Sequence, residues 1–190
     1  VSYGWHYSFH VRIDRELMAR GTKHWLITDT HFNHDAIIKA CNRPDNADQL
    51  MVSNMVKLCA AQDWLIHIGD VIFYQYPKLK EIMDRIPCRK VLVMGNHDKK
   101  PKNWYMRNGF DFAADSFTWG NVLFSHRPTF VFPDGVDYNI HGHWHNNDVE
   151  NNPPEGWSPK THYKLAVEDT NYCPVSLDKV KATMDQRNGK

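Results

Sequence analysis

Three short apolar runs break off in the same manner: HWLITD at 24–29, WLIHIGD at 64–70 and KVLVMGNHD at 90–98. Each is too short for a core helix and rich in residues that suit a buried strand, and each leads into Asp, Asn or His. Segments with helical spacing lie between them, at 35–42, 46–61 and 76–87. The second carries Leu50, Met51, Met55, Leu58 and Cys59 on one stripe, and the third runs between two prolines. Alternating strand and helix predicts a parallel sheet, and the carboxyl ends of parallel strands open on a shared crevice. This chain is therefore committed to an α/β layered fold with its carboxylates and imidazoles collected at one edge.

The second half is patterned differently. FAADSFTWGNVLFSH (112–126) reads as a hairpin turning at Gly120-Asn121, and YNIHGHWH (138–145) as a strand entering a glycine turn. THYKLAVE (161–168) is an expected strand and 176–186 a final helix capped by Ser176, while 147–160, rich in Asn and Pro, is a loop. At the other end, WHYSFHVRI (5–13) alternates apolar and polar residues like a half-buried strand, and 14–21 reads as a short helix from Asp14 to Gly21. Residues 1–22 are expected to be an N-terminal extension and 23–190 the main domain. The extension would add an edge strand or a homodimer contact, with a substrate lid as the alternative.

Five strand ends offer metal-ligand chemistry: Asp29 with His31, then Asp70, Asn96, His126, and His143 with His145. Residues two apart on extended chain point the same way, so each of the two pairs can aim at one site. Gly69, Gly95 and Gly142 each precede one of these residues, where a sharp turn or close backbone approach is useful. Oxygen and imidazole without thiolate suit Mn²⁺, Fe or Zn²⁺, with Ni²⁺ also compatible. Seven ligands exceed the needs of one ion and fit two, and Asp70 is the economical bridge. His67, inside an apolar run, is expected to be a core histidine, and His141 a structural one.

Composition removes other classes. At 190 residues the chain suffices for one domain with a proper core, and 42% hydrophobic with 24% charged residues excludes wholesale disorder. A net charge of +1 argues against tight nonspecific binding to duplex nucleic acid. Cys41, Cys59, Cys88 and Cys173 form no C-x-x-C pair, so neither a disulfide framework nor structural zinc is expected. No apolar run approaches the ~18 residues of a membrane span, and no hydrophobic signal core is seen. The expectation is a soluble cytoplasmic protein.

The blocks DTH, GD, GNHD, SH and GHWH, in this order, resemble the calcineurin-like metallophosphoesterase family, above all its small stand-alone bacterial and phage members. The similarity runs from about 24 to 185 and includes DTHFNH…CNRP and NYCPVSLDKV. It implies a four-layer α/β/β/α sandwich of two mixed sheets flanked by helices, with two divalent ions at the strand ends, Mn²⁺ first among them. It also implies Asp29, His31 and His145 on the first ion, Asn96, His126 and His143 on the second, and Asp70 bridging. The implied chemistry is phosphoester hydrolysis by a bridging hydroxide, with His97 as general acid and Asp98 as its orienting partner.

Departures narrow the expectation. Protein phosphatases of this superfamily carry GDxxDRG, whereas this chain reads GDVIFYQ and lacks that arginine. A phosphodiester of nucleotide type, with one charge less to clamp, becomes the expected substrate. His34, Arg43 and Arg127 are the candidate substrate contacts. The alternatives are a phosphomonoesterase acting on a small molecule, or a catalytically silent metal-binding module.

Overall fold

The computed structural model describes residues 11–12 and 21–189. The expected strand at 5–13 lies outside these apart from Val11–Arg12, and the expected helix at 14–21 lies outside them apart from Gly21. Strands β2 (His24–Ile27), β3 (Trp64–His67), β4 (Arg89–Val93) and β5 (Phe112–Ala114) form a parallel array, with β10 (Val175–Ser176) antiparallel at the β2 edge. The chain returns between them through α1 (Asp35–Ala40), α2 (Ala47–Leu58), α3 (Lys78–Asp84) and α4 (Lys102–Arg107).

Both faces of this sheet are covered, which is why its strands read as continuous apolar runs. Side chains alternate between the two faces. Ile27, Leu65 and Leu92 pack with Met51, Met55, Leu79, Met83 and Tyr105 from the helices. Leu26, Ile66, Val91 and Val93 instead meet Phe117, Phe124 and Ile140 of a second sheet. Fully burying each such side chain is worth roughly 1.5–3 kcal/mol.

The second sheet runs β1 (Val11–Arg12), β6 (Ser116–Trp119), β7 (Val122–Ser125), β8 (Tyr138–His141), β9 (His162–Lys164). The β6–β7 hairpin is the expected one, and Gly120 takes its turn position at φ 59°. The segment just before it corrects the expectation. Residues 112–114 are no hairpin arm but pair with β4 in the first sheet, and the chain changes sheets at Asp115. Alternation alone does not say which neighbour a strand chooses. Helix α4 was likewise not anticipated: KNWYMR is too short to show a helical period.

Helix α5 (Leu177–Arg187) starts where expected, with the Ser176 hydroxyl accepting the Lys179 N–H. Leu177, Val180 and Met184 join the core between the sheets, and the Tyr138 hydroxyl donates to Asp185 at 3.0 Å. The result is two mixed sheets flanked by helices. Among the described residues no helix is long and apolar enough to cross a membrane.

Candidate metal centre

The strand ends continue to pair after the strands themselves stop. Asp29 N–H donates to Gly69 C=O at 2.9 Å, His31 N–H to Asp70 C=O at 3.0 Å, and Gly142 N–H to His126 C=O at 3.0 Å. These bonds lay the Asp29–His31 segment beside Asp70, and His126 beside the turn that leads to His143 and His145. A Cβ on Gly95 would collide with the Asp70 carboxylate, and one on Gly142 with the Thr28 hydroxyl and the Asp29 carboxylate. Glycine is needed there because the backbones approach so closely. Asp29, His31, Asp70, His143 and His145 all adopt positive φ, between 45° and 71°. Non-glycine residues pay for that conformation, and such strain collects at functional sites.

The candidate ligands assemble into two groups. In the first, Asp29 Oδ1 lies 3.8 Å from both His31 Nε2 and His145 Nε2. These are too long for hydrogen bonds, and the three side chains converge on a common space. In the second, His126 Nε2 lies 3.2 Å from Asp70 Oδ2 and 3.1 Å from Asn96 Oδ1, and the His143 ring stands 5.1 Å from the His126 ring. Asp70 touches both groups. Its Oδ1 accepts the His97 N–H at 2.7 Å, while its Oδ2 faces His126 and also His31 Nε2 at 3.6 Å.

Partners behind the rings set which nitrogen faces inward. His126 Nδ1–H donates to the Ile68 carbonyl at 2.8 Å, which leaves Nε2 turned to the centre. His145 Nδ1 faces Glu168 Oε1 at 3.4 Å, with the same result. Asp29 Oδ2 accepts the Thr28 hydroxyl at 2.7 Å and the His143 N–H at 2.9 Å, so Oδ1 alone is left. Asp29 Oδ1 and both nitrogens of His31 are buried with no hydrogen-bond partner.

Buried acceptors without partners are rare in native proteins, and a cation would satisfy this set. Burial lowers His31 to about 3 and His143 to about 4, so both rings stay neutral with a lone pair free, the form that binds metal. Burial would lower His126 too, but the Asp70 and Asp29 carboxylates outweigh it and hold that ring up to about 9. The middle of the cluster is a place for positive charge, and the donor set fits two divalent ions.

Two expected roles are corrected. Arg43 is 5% exposed. Its guanidinium donates to the carbonyls of Asp29 and Thr30 at 2.8 and 3.0 Å and to Glu168 at 2.6–2.8 Å. It holds the Asp29 loop from behind and is consumed by these partners. Asp98 does not orient the His97 ring. Its two oxygens accept the N–H groups of Asp70, Gly95 and Val71 at 2.8–3.1 Å, which fixes the loop that carries Asp70.

The other expected residues lie around the centre. The His97 ring packs 5.3 Å from the His31 ring, on the side of the first group. His34 lies 5.5 Å from His31 at the rim. Arg127 lines a cavity of about 510 Å³ together with Asn96 and His126. His67 is fully buried, with Nε2 2.9 Å from the Thr30 hydroxyl, and His141 accepts Trp157 Nε1–H at 3.1 Å. Both are structural, as expected. Glu168 was missed. Its one signal is a carboxylate at the end of the expected 161–168 strand, matching Asp29 and Asp70 in position.

An uncharacterized protein of Methanocaldococcus jannaschii is 31% identical over 163 residues, covering 82% of this chain and 88% of that protein. The crystal structure of a protein of unknown function from Aquifex aeolicus superposes with a TM-score of 0.66 at 27% identity, over 85% of this chain and 98% of that one. Pseudomonas putida nuclease MPE is matched over 64% of this chain and 61% of its own, with 18% identity and a TM-score of 0.40. The family model for calcineurin-like phosphoesterases matches residues 22–179. With that span matched, and candidate metal-binding groups at its strand ends, the chain belongs to the calcineurin-like phosphoesterase family, whose activity is metal-dependent hydrolysis of phosphoesters.

Proposed function

We propose that this protein is a dimetal phosphodiesterase acting on nucleotide-type diesters. Asp29, His31 and His145 would hold one ion and Asn96, His126 and His143 the other, with Asp70 Oδ2 shared between them. Its position within 3.6 Å of His31 and 3.2 Å of His126 supports that sharing. Two bound divalent ions supply Lewis acidity toward the phosphoryl oxygens and a nucleophile at neutral pH. Mn²⁺ is the expected ion, while oxygen and imidazole donors also accept Fe, Zn²⁺ or Ni²⁺.

The remaining work falls to the chain. The His97 N–H holds Asp70 Oδ1, and its ring, beside that of His31, would give a proton to the departing oxygen. Arg127, which lines the same cavity as Asn96 and His126, would meet a phosphoryl oxygen from that side. His34, stacked 3.8 Å from Phe73 and 5.5 Å from the His31 ring, would add a second substrate contact.

The observation that carries the preference for a diester is the commitment of Arg43. Its guanidinium is consumed by Glu168 and two carbonyls, and GDVIFYQ supplies no replacement. A site with so few free cations suits a singly charged phosphodiester better than a dianionic monoester. The test is a substrate screen on metal-reconstituted protein. Expected are two Mn²⁺ per chain, and turnover of bis-p-nitrophenyl phosphate and a dinucleotide well above that of p-nitrophenyl phosphate. Full activity at one ion, or preference for the monoester, would overturn the reading.

A further inference from the structure

A series of rings leads outward from the first ligand group. The His97 ring is 5.3 Å from that of His31, Phe73 is 5.3 Å from His97, and Tyr74 is 4.4 Å from Phe73, centroid to centroid. His34 lies nearly flat on Phe73, at 20°. The segment is anchored as far as Phe73, since Phe32 and Ile72 form a bridge and Phe73 N–H donates to the Phe32 carbonyl at 3.0 Å. Beyond that anchor Tyr74 stands 69% exposed.

The edge contact with Phe73 is a small return for so exposed a ring. A large ring left in water forgoes the stabilisation of burial. Tyr74 and Gln75 also take φ of 54° and 27°, a region that side chains rarely adopt and that costs on the order of 1–3 kcal/mol per residue. A flat ring held out at strain, next in line after rings that begin at a candidate metal ligand, is suited to stacking on a flat group of the bound ester.

We infer that Tyr74, backed by Phe73, is a specificity-determining residue that stacks the nucleobase of the nucleotide whose phosphoester occupies the centre. The inference rests on the nucleotide reading of the site. Stacking on a π-face is available to every base, so this contact selects for a base without choosing its sequence.

Binding tests it more directly than turnover. The Mn²⁺-loaded protein is titrated calorimetrically with AMP, TMP and ribose 5-phosphate. Base–aromatic stacking is worth enough for the wild type to favour both nucleotides over ribose 5-phosphate by roughly tenfold. Tyr74→Ala is expected to erase that preference while leaving ribose 5-phosphate affinity unchanged, and Tyr74→Phe to keep it. Equal affinities in the wild type, or a preference that survives Tyr74→Ala, overturn the inference. So does an equal loss of ribose 5-phosphate affinity in Tyr74→Ala, because the ring would then only be holding its loop. Failure of the diesterase reading looks different: the nucleotide preference persists, but the loaded wild type does not cleave a dinucleotide.

Discussion

Behind Asp29, His31 and His145 stands a buried ion pair, whereas behind Asp70, His126 and His143 stand backbone atoms and one carboxylate that serves them. Arg43 and Glu168 meet at 2.6 Å, orient His145 and tie down the Asp29 loop. On the other side the Ile68 carbonyl orients His126, and Asp98 gathers the amides of Asp70, Val71 and Gly95. The two groups use similar donors but depend on different things. The first relies on two side chains far apart in sequence and can be disturbed by one substitution. The second is mostly made of main chain and yields only where a residue has no substitute. Asp70 belongs to both.

Asp70→Ala is therefore expected to be the most damaging change. It removes a carboxylate oxygen that faces both groups, so both ions should be lost or weakened, by more than the ~10–100-fold that a supporting partner costs. Metal content per chain together with diesterase kinetics measures it. Loss of a single ion, with the other at wild-type affinity, would show that the two groups are independent.

Next is His97→Ala, which leaves all seven candidate ligands in place. Turnover of a nucleotide diester should fall by roughly 10²–10⁴-fold, the range of a positioned acid, with both ions retained. Bis-p-nitrophenyl phosphate, whose leaving group hardly needs a proton, should suffer much less. Equal losses on the two substrates would make the ring a structural neighbour of His31.

The smallest effect should discriminate best between the two groups. Glu168→Gln keeps the shape but removes the charge behind His145, and should weaken one ion by ~10–100-fold while sparing the other. Weakening of both ions alike would erase the distinction between side-chain and main-chain support. The same variant has a pH signature. Burial alone would raise Glu168, but the His145 hydrogen bond and Arg43 prevail and hold it at about 2, below its ordinary 4.5. A depressed carboxylate contributes fully above its unfolded pKa and loses that contribution as pH falls toward the folded one. The melting temperature of the chelated wild type should thus exceed that of Glu168→Gln near neutrality, and the gap should narrow as pH drops from 4.5 toward 2. A constant gap would mean that Glu168 contributes through packing.

Much of the centre was legible because strand ends are local features. An apolar run, a glycine and an Asp or His are adjacent in sequence, and a parallel sheet brings such ends together whatever the rest of the chain does. Arg43 and Asp98 were misjudged for the opposite reason. Both sit beside recognisable blocks, yet their partners lie elsewhere: Glu168 is 125 residues from Arg43, and the Asp70 amide is 28 residues from Asp98. The alternation in 112–126 marked strands correctly but not the change of sheet at Asp115, because a period of two says which face is apolar and not which strand lies alongside.

By itself, then, the sequence determined the layers of the fold, its main strands and helices, and the seven residues that converge at one edge. These follow from periodicity and from the fact that backbone direction is set locally. Only the tertiary structure decided which imidazole nitrogen faces inward, that Arg43 supports the centre from behind, and that Tyr74 stands in solvent on a strained backbone. Each of these is settled by a contact across distant chain or by a backbone angle imposed from outside the residue, and neither leaves a trace in the order of amino acids.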